Sequence, residues 1–274
     1  VEYFRSAYRM GKTPNPCLVC NPEIKFGVLL EKARQLGASR LATGHYARVA
    51  SGPDGRPRLL TGLDRSKDQS YFLSRLTREQ LARACFPLGG WTKSGVRALA
   101  AQKGLHPSDR VESQDVCFIK SAHYTDFLAH TRGFQPLPGE IVDTAGRRVG
   151  THDGLHRYTV GQRRGINCPA GQAYYVVRID VTRNRLVVGF KDSLIADGCR
   201  VTGINWIADA PDRPMRVDTR IRYRHRPVPS TVSPVGPREA KLRFVEPQTA
   251  VTPGQGAVFY QGDEVVGGGW ISDE

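Results

Sequence analysis

Near residue 133 the sequence changes its period. Before it, apolar residues recur at helical spacing in segments that end at glycine; after it, they fall in short runs between Pro and Gly turns. The segment from Gly133 to Gly139, with Pro136 and Pro138, reads as a linker between the two regimes. That order predicts an α/β domain followed by β-rich units, and no internal repeat or low-complexity segment competes with it. Three domains are expected: 1–125, a small central β-rich domain over 126–198, and a C-terminal β-barrel over 199–274.

In the first part, Phe26, Leu29, Leu30, Ala33 and Leu36 predict one face of a helix over 22–36, stopped by Gly37. Arg40–Thr43 reads as a strand ending at Gly44-His45, the edge at which α/β sheets carry their sites. A turn at 51–55 leads into a strand at 58–61. Helices are expected at about 69–76, 78–84, 94–103 and 123–131; Thr77 and Gln80 form a capping box for the second, and Gly104 ends the third. Later, Ile141–Asp143 with Val149, and Ala173–Ile179 with Leu186–Phe190, read as hairpins. Short strands recur from residue 200, the rhythm of a small barrel.

Charge narrows the partner. The chain carries +14, of which residues 1–125 hold +10, 126–199 +3 and 200–274 +1. A basic half of that size is the electrostatic footprint of a polyanion, nucleic acid first, against the alternative of a merely basic soluble surface. In Arg216–Arg224, Val217, Thr219, Ile221 and Tyr223 alternate with arginines and Asp218, and Lys241 and Arg243 alternate with Leu242 and Phe244. Period two predicts a core face and an arginine face suited to phosphates, or else a plain solvated strand face. No run approaches the ~20 apolar residues of a membrane-spanning helix, and no signal-peptide pattern opens the chain. Six scattered cysteines then fit free thiols in a reducing cytoplasm.

Two of those cysteines stand in unlike settings. Cys20 precedes the expected helix, with Asn21 as N-cap and Pro22 at the first helical position, where the positive end of the helix favours a thiolate. Cys117 lies in an apolar run after a polar loop. Two such thiols, joined by folding, can pass sulfur or close a transient disulfide. Cys17 and Cys20 also form a C-x-x-C. Zinc would need a second pair nearby, but the next cysteine is Cys85 and His152/His156 are remote; a thioredoxin-like motif would need a strand where Pro14 and Pro16 make a turn. Cys85, Cys168 and Cys199 read as small buried hydrophobes, with Cys85 at the end of a helix face.

In ordered blocks along essentially its whole length, the chain resembles the tRNA-specific 2-thiouridylases. The blocks are Gly11–Pro16 with Cys20–Phe26, Ala42–Tyr46, Lys67–Leu73, Ser113–Ile119, Tyr158–Gly165, Arg220–Arg224, Ala250–Tyr260 and Gly267–Gly269. The resemblance implies an α/β domain of the PP-loop type and ATP-dependent replacement of the C2 oxygen of the wobble uridine by sulfur. It implies Cys20 as nucleophile, Cys117 as persulfide carrier, and a transient Cys20–Cys117 disulfide. Gly44 would belong to the nucleotide site, and Asn15, Pro16 and Cys17 would touch the target base. His45, Lys67, Asp68, Gln69, Arg222, Tyr223 and Gln255 would touch tRNA. ATP enters as a substrate with Mg2+ and no permanently bound cofactor; the partners implied are tRNA and a persulfide relay protein, without membrane or DNA, and a monomer is expected.

Two features depart from the family pattern. The Ser-Gly-Gly-x-Asp-Ser loop that activates ATP does not occur in these residues, so the chain is expected to be an N-terminally truncated member, inactive and poorly soluble by itself. The alternative is a tRNA-binding protein without catalysis. Cys17 stands where many members have Asp, and is expected to compete for the Cys20 thiol under oxidation.

Overall fold

The computed structural model describes residues 1–105, 116–119, 123–129 and 134–272. Helix α1 (Glu2–Arg9) buries Phe4, Ala7 and Tyr8. Helix α2 then runs without a break through Cys17–Cys20, Asn21–Leu29 and Leu30–Gln35, with its middle stretch wound as a π-helix. It starts at Cys17 and not at Pro22. Pro16 takes helical dihedrals as N-cap and accepts the Cys20 amide at 2.8 Å, so Cys20 lies inside the first turn.

The single apolar face expected for this helix also breaks up. Phe26 and Leu30 are buried, whereas Leu29 and Leu36 are exposed. An α-helix closes a turn in ~3.6 residues; the π turn is wider, and the buried positions Leu18, Asn21, Phe26 and Leu30 step by three, five and four, the step of five falling within the π stretch. Two contacts fix this winding. A Cβ on Gly27 would stand 2.8 Å from the Pro22 carbonyl oxygen. That oxygen also accepts a hydrogen bond from Gln80 Nε2 at 2.8 Å.

Strands β1 (Leu41–Ala42), β2 (Ala47–Ser51) and β3 (Pro57–Thr61) follow, then α3 (Ser70–Leu73) and α4 (Arg78–Ala82). The capping box of Thr77 and Gln80 forms as the sequence predicts. Strand β4 (Ala84–Cys85) pairs in parallel with β1, making Cys85 a strand residue and not the end of a helix face. Helix α5 (Lys93–Gln102) is capped by the Thr92 side chain, and α6 (Tyr124–Ala129) follows; the last two residues of its expected span lie outside the described residues.

The central sheet has the order β6-β5-β8-β7, built from β5 (Gly139–Asp143), β6 (Arg148–His152), β7 (Tyr175–Asp180) and β8 (Arg185–Gly189), with β5 and β8 parallel. Six antiparallel strands make the barrel: β9 (Ile195–Trp206), β10 (Met215–Arg220), β11 (Val228–Gly236), β12 (Glu239–Thr249), β13 (Gly256–Gln261) and β14 (Glu264–Ser272). It closes in the order β13-β10-β11-β12-β9-β14, with β14 returning to β13. Cys199 is within β9, and burial pushes its thiol up to about 12. Leu242 and Phe244 are buried between exposed Lys241 and Arg243, as alternation predicts. The expected Arg216–Arg224 strand ends early at Arg220, because the chain turns there and His225 N–H bonds to the Arg222 carbonyl at 3.0 Å.

Hairpin β2–β3 leaves the α/β part and extends the barrel sheet, pairing Leu59 with Val265 and Leu60 with Glu264. One apolar core joins the two: Leu18, Phe26, Leu73, Leu76 and Leu81 cluster with Ile207, Val258, Tyr260 and Val265. Helix α2 comes so close to the barrel that a Cβ on Gly256 would stand 2.5 Å from Leu18. The barrel and the central sheet each hold a core of their own. Around α1, Phe4, Tyr8 and Leu128 pack with Val116, Phe118 and Ile119. Among the described residues no helix is long and apolar enough to cross a membrane.

Candidate nucleic-acid interface and thiol site

Where α2, the end of β1, the loop before α3 and the barrel converge, a cleft of about 1590 Å³ opens. Its walls carry Lys25, Arg65, Lys67, Lys93, Arg220, Arg222, Arg224 and Arg226, against only Asp68 and Asp218. A concave surface with that balance concentrates field on a polyanion. Of the residues expected from sequence, Cys17, Gly44, His45, Lys67, Asp68, Gln69, Arg222, Tyr223 and Gln255 line this one cleft. Asn15, Pro16, Cys20 and Cys117 stand outside its lining.

Cys17 lies in the lining of the cleft, near enough to Cys20 and Cys117 for both to act on its charge. Cys17 opens α2 and is exposed, whereas Cys20 is half-buried. Although one side of Cys17 is open to solvent, desolvation by the protein packed on its other side is the largest influence and raises its pKa; Lys25 lowers it, and the neighbouring Cys117 and Cys20 raise it further. Cys117 is itself exposed, because Val116, Phe118 and Ile119 around it turn toward α1. The Phe4 and Phe118 rings meet edge-on at 5.4 Å. Ser113–Asp115 of the same block lie outside the described residues.

The loop before Cys17 is clamped by the barrel. Gln255 Nε2 donates to the Thr13 carbonyl at 3.0 Å, and Thr13 N–H donates to the Pro253 carbonyl at 3.0 Å. Two separated sequence blocks thus form one junction, and Gln255 supports the thiol turn as well as facing the cleft. Tyr71 Oη adds a bond to the Gly256 carbonyl at 3.1 Å.

Asp68 behaves differently from its expected role as a tRNA contact. It is 4% exposed. One carboxylate oxygen accepts from the amides of Gly62 and Ser70, the other from Ser70 Oγ and from Arg220 Nη1 at 2.8 Å. Every oxygen is engaged inside the protein, so the side chain is scaffold. Arg220 in turn donates to the carbonyls of Tyr223 and His225, which shapes the turn that follows β10. This arginine leaves the expected phosphate-facing ladder. Gln69 similarly holds the Tyr46 amide through Oε1 at 3.0 Å.

Beyond that turn, Tyr223 stands against Phe72 with ring centroids 4.3 Å apart, an aromatic surface among cations. Such surfaces accept unstacked bases. His45 is buried at 8% exposure, between Thr43 Oγ1 at 2.7 Å and Lys25 Nζ at 3.5 Å. Burial, and then Lys25, push its pKa down to about 4.

The sequence reading passed over Asn21, Lys25, Tyr46, Arg65, Phe72 and Lys93, all of which line the cleft. For Asn21 and Lys25 a signal existed: they follow Cys17 at steps of four along one helix. Asn21 is 2% exposed and donates to the Phe72 carbonyl at 2.9 Å.

Three family descriptions match in sequence. Residues 1–121 match the tRNA methyl transferase HUP domain, 125–190 the tRNA methyl transferase PRC-barrel domain, and 196–271 the Aminomethyltransferase beta-barrel domain. Together with the fold these define the class: a HUP α/β domain followed by a PRC-barrel and a closed six-stranded barrel.

A protein of Desulfosudis oleivorans named tRNA-specific 2-thiouridylase MnmA is 54% identical over all of this chain and 76% of its own length. Relatives of the same name from Geotalea uraniireducens and Geobacter metallireducens are 50% and 52% identical, over 99% and 98% of this chain and 72% of each relative. The chain belongs to the tRNA-specific 2-thiouridylase family.

Proposed function

We propose that the protein acts in ATP-dependent 2-thiolation of the wobble uridine of tRNA. The observation that carries the reading is the cleft itself: eight Lys and Arg against two Asp, with the Cys17 thiol and the Phe72–Tyr223 aromatic surface in the same lining. In this reading the anticodon loop lies against Lys67, Arg222 and Tyr223, and the target base approaches Asn15, Pro16 and Cys17. Asp68, Gln69 and Gln255 act as positioning residues that hold the loops around it. Gly44 borders the nucleotide.

ATP adenylates the uridine C2 oxygen and releases pyrophosphate. The terminal sulfur of a Cys117 persulfide attacks C2, forming a carbon–sulfur bond as AMP leaves with the oxygen. The Cys20 thiolate then attacks Cys117 Sγ, breaks the sulfur–sulfur bond and frees the thiouridine, leaving a Cys20–Cys117 disulfide for an external thiol to reduce. A persulfide relay protein supplies the sulfur.

Mg2+ would arrive on the ATP phosphates, its ordinary mode of binding. The protein offers it no cage: among the described residues no group of three or more His, Cys, Asp or Glu side chains is placed to hold a metal. The division into 1–125, 126–198 and 199–274, a cytoplasmic site of action and a monomeric state complete the proposal.

The test is incubation of the protein with tRNA bearing an unmodified wobble uridine, ATP, Mg2+ and a persulfide donor. Thiolated tRNA is then resolved by its retardation in a mercury-containing gel. Thiolation that disappears in Cys117→Ser is the expected result. Salt-sensitive tRNA binding without thiolation in any arm would instead favour a non-catalytic tRNA-binding protein. No tRNA binding at low salt would overturn both readings.

A further inference from the structure

Asn21 follows Cys20 directly and opens the π-helical stretch of α2, and its side-chain amide is only half used. Nδ2 donates to the Phe72 carbonyl at 2.9 Å, and because a carbonyl can only accept, this bond fixes which way the amide is turned. Oδ1 is left as a bare acceptor. It is shielded from bulk solvent, in a residue only 2% exposed, and no group among the described residues donates to it. Buried polar atoms are ordinarily paired, so each exception has a cause. Here the exceptions cluster: Tyr46 Oη and His225 Nδ1 are also buried without hydrogen-bond partners, and Asn21, Tyr46 and His225 all line the cleft. Of the three, Asn21 is the most deeply buried, and it shares its helix with Cys17.

We propose that Asn21 Oδ1 is the acceptor for the N3–H of a uracil, so that Asn21 selects uracil over cytosine in the cleft. This role rests on the function proposed above, for which it supplies the base-reading residue. Uracil carries a donor at N3 between two carbonyls; cytosine carries a lone pair there, which would face the lone pairs of Oδ1. Phe72 supplies both the carbonyl that orients the amide and a ring whose centroid is 4.3 Å from that of Tyr223, so one residue sets the stacking surface and the acceptor together. Cys17 lies four residues before Asn21 on the same helix and lines the same cleft, which places thiol and acceptor along one wall. The acceptor stays covered until a base parts the lining, and that cover sharpens the choice. A matched donor gains a bond for which no bulk-water bond is given up, whereas an unmatched edge leaves both partners unpaired.

The experiment is the binding of RNA hairpins to the full chain and to Asn21→Ala, followed by fluorescence anisotropy at low salt. The hairpins are identical except that the wobble position of the loop holds uridine, cytidine or 3-methyluridine. Cytidine removes the N3 donor without adding bulk there, and 3-methyluridine removes it while keeping both carbonyls. The unsubstituted protein binds the uridine hairpin about 5- to 100-fold more tightly than either, the scale of leaving a buried acceptor unmatched. In N21A that preference is lost. Equal affinities for uridine and 3-methyluridine in the unsubstituted protein would overturn the proposal, and this comparison needs no variant to fold. So would an N21A protein that binds all three hairpins more weakly by one factor and keeps its preference, which would make Asn21 a strut for Phe72 alone. Hairpins bound without preference sink the base-reading role and leave tRNA binding standing; no binding to any hairpin at low salt overturns the function proposed above together with this role.

Discussion

Arg220→Met tests how the barrel is joined to the α/β side of the cleft. The Arg220–Asp68 pair spans 2.8 Å, with the two side chains 12% and 3% exposed. Removing one partner of such a pair leaves an uncompensated buried charge, for about 3–5 kcal/mol. Methionine keeps most of the volume, so little of the loss is packing. The same change strips the Tyr223 and His225 carbonyls of their donor, which loosens the turn that carries Arg222. In a protein of this size ~1 kcal/mol moves the melting temperature by about 2–4 °C, so a drop of about 6–20 °C is expected. Thermal unfolding followed by fluorescence reads it, since Trp206 and Trp270 lie on the barrel strands β9 and β14. The companion variant Asp68→Asn and the double variant close the cycle, with a coupling of about 1–3 kcal/mol expected because removing both charges orphans neither. A loss below ~1 kcal/mol in R220M, or strict additivity in the double variant, would refute the scaffold role and return Asp68 to the tRNA surface.

Acid should weaken the fold through His45. Its unfolded pKa is 6.5 and its folded value about 4, so between those values the unfolded chain holds the extra proton and stability declines as pH falls. About 3 kcal/mol is lost by pH 4, and His45→Asn flattens that slope; parallel slopes in denaturant titrations at pH 7, 5.5 and 4.5 would contradict it. Gly27→Ala should destabilise by about 1–3 kcal/mol in a thermal melt, because its Cβ would meet the Pro22 carbonyl at 2.8 Å. Tyr223→Ala should weaken tRNA binding by about 1–3 kcal/mol with little change in its salt slope, the signature of stacking; a changed slope with unchanged affinity at low salt would speak against it. Mild oxidation should yield a Cys17–Cys20 bridge besides Cys20–Cys117, because the first two sit in one helical turn; peptide mapping that finds only the second would exclude it.

Much of this architecture was legible locally. The capping box of Thr77 and Gln80, the alternation around Leu242 and Phe244, and the change of period near residue 133 each rest on neighbours in sequence. What escaped was set by partners far along the chain. Hairpin β2–β3 joins the barrel through residues some 200 positions away, and nothing in Pro57–Thr61 announces that. Asp68 was expected to touch tRNA by the resemblance alone, and the burial that occupies its carboxylate comes from Arg220, 152 positions along the chain at the end of β10. The start of α2 was misplaced for a different reason: Pro16 and Pro22 both suit a helix's first turn, and only the tertiary packing of Leu18 selects the earlier one. The alternation read over Arg216–Arg224 holds only as far as Arg220, since the turn beyond it is set by hydrogen bonds that no period-two pattern encodes.

These long-range contacts tie the turn that carries Cys17 to the barrel side of the cleft. Gln255 holds the carbonyl of Thr13, Tyr71 holds that of Gly256, and Arg220 reaches Asp68, so three hydrogen-bonded ties cross between barrel and α/β part around the cleft. Each is backed by the shared core of Leu18, Leu73, Val258 and Tyr260. Barrel loops that bind an RNA backbone would therefore fix the distance from phosphate to Cys17 without any hinge between them. Weakening one tie, as in Gln255→Ala, should lower the rate of thiolation more than the affinity for tRNA, because the cations that bind the backbone remain while the thiol turn loses its register. Equal losses in both, measured by single-turnover thiolation and by tRNA titration, would mean that Gln255 serves the RNA directly and not the geometry of the turn.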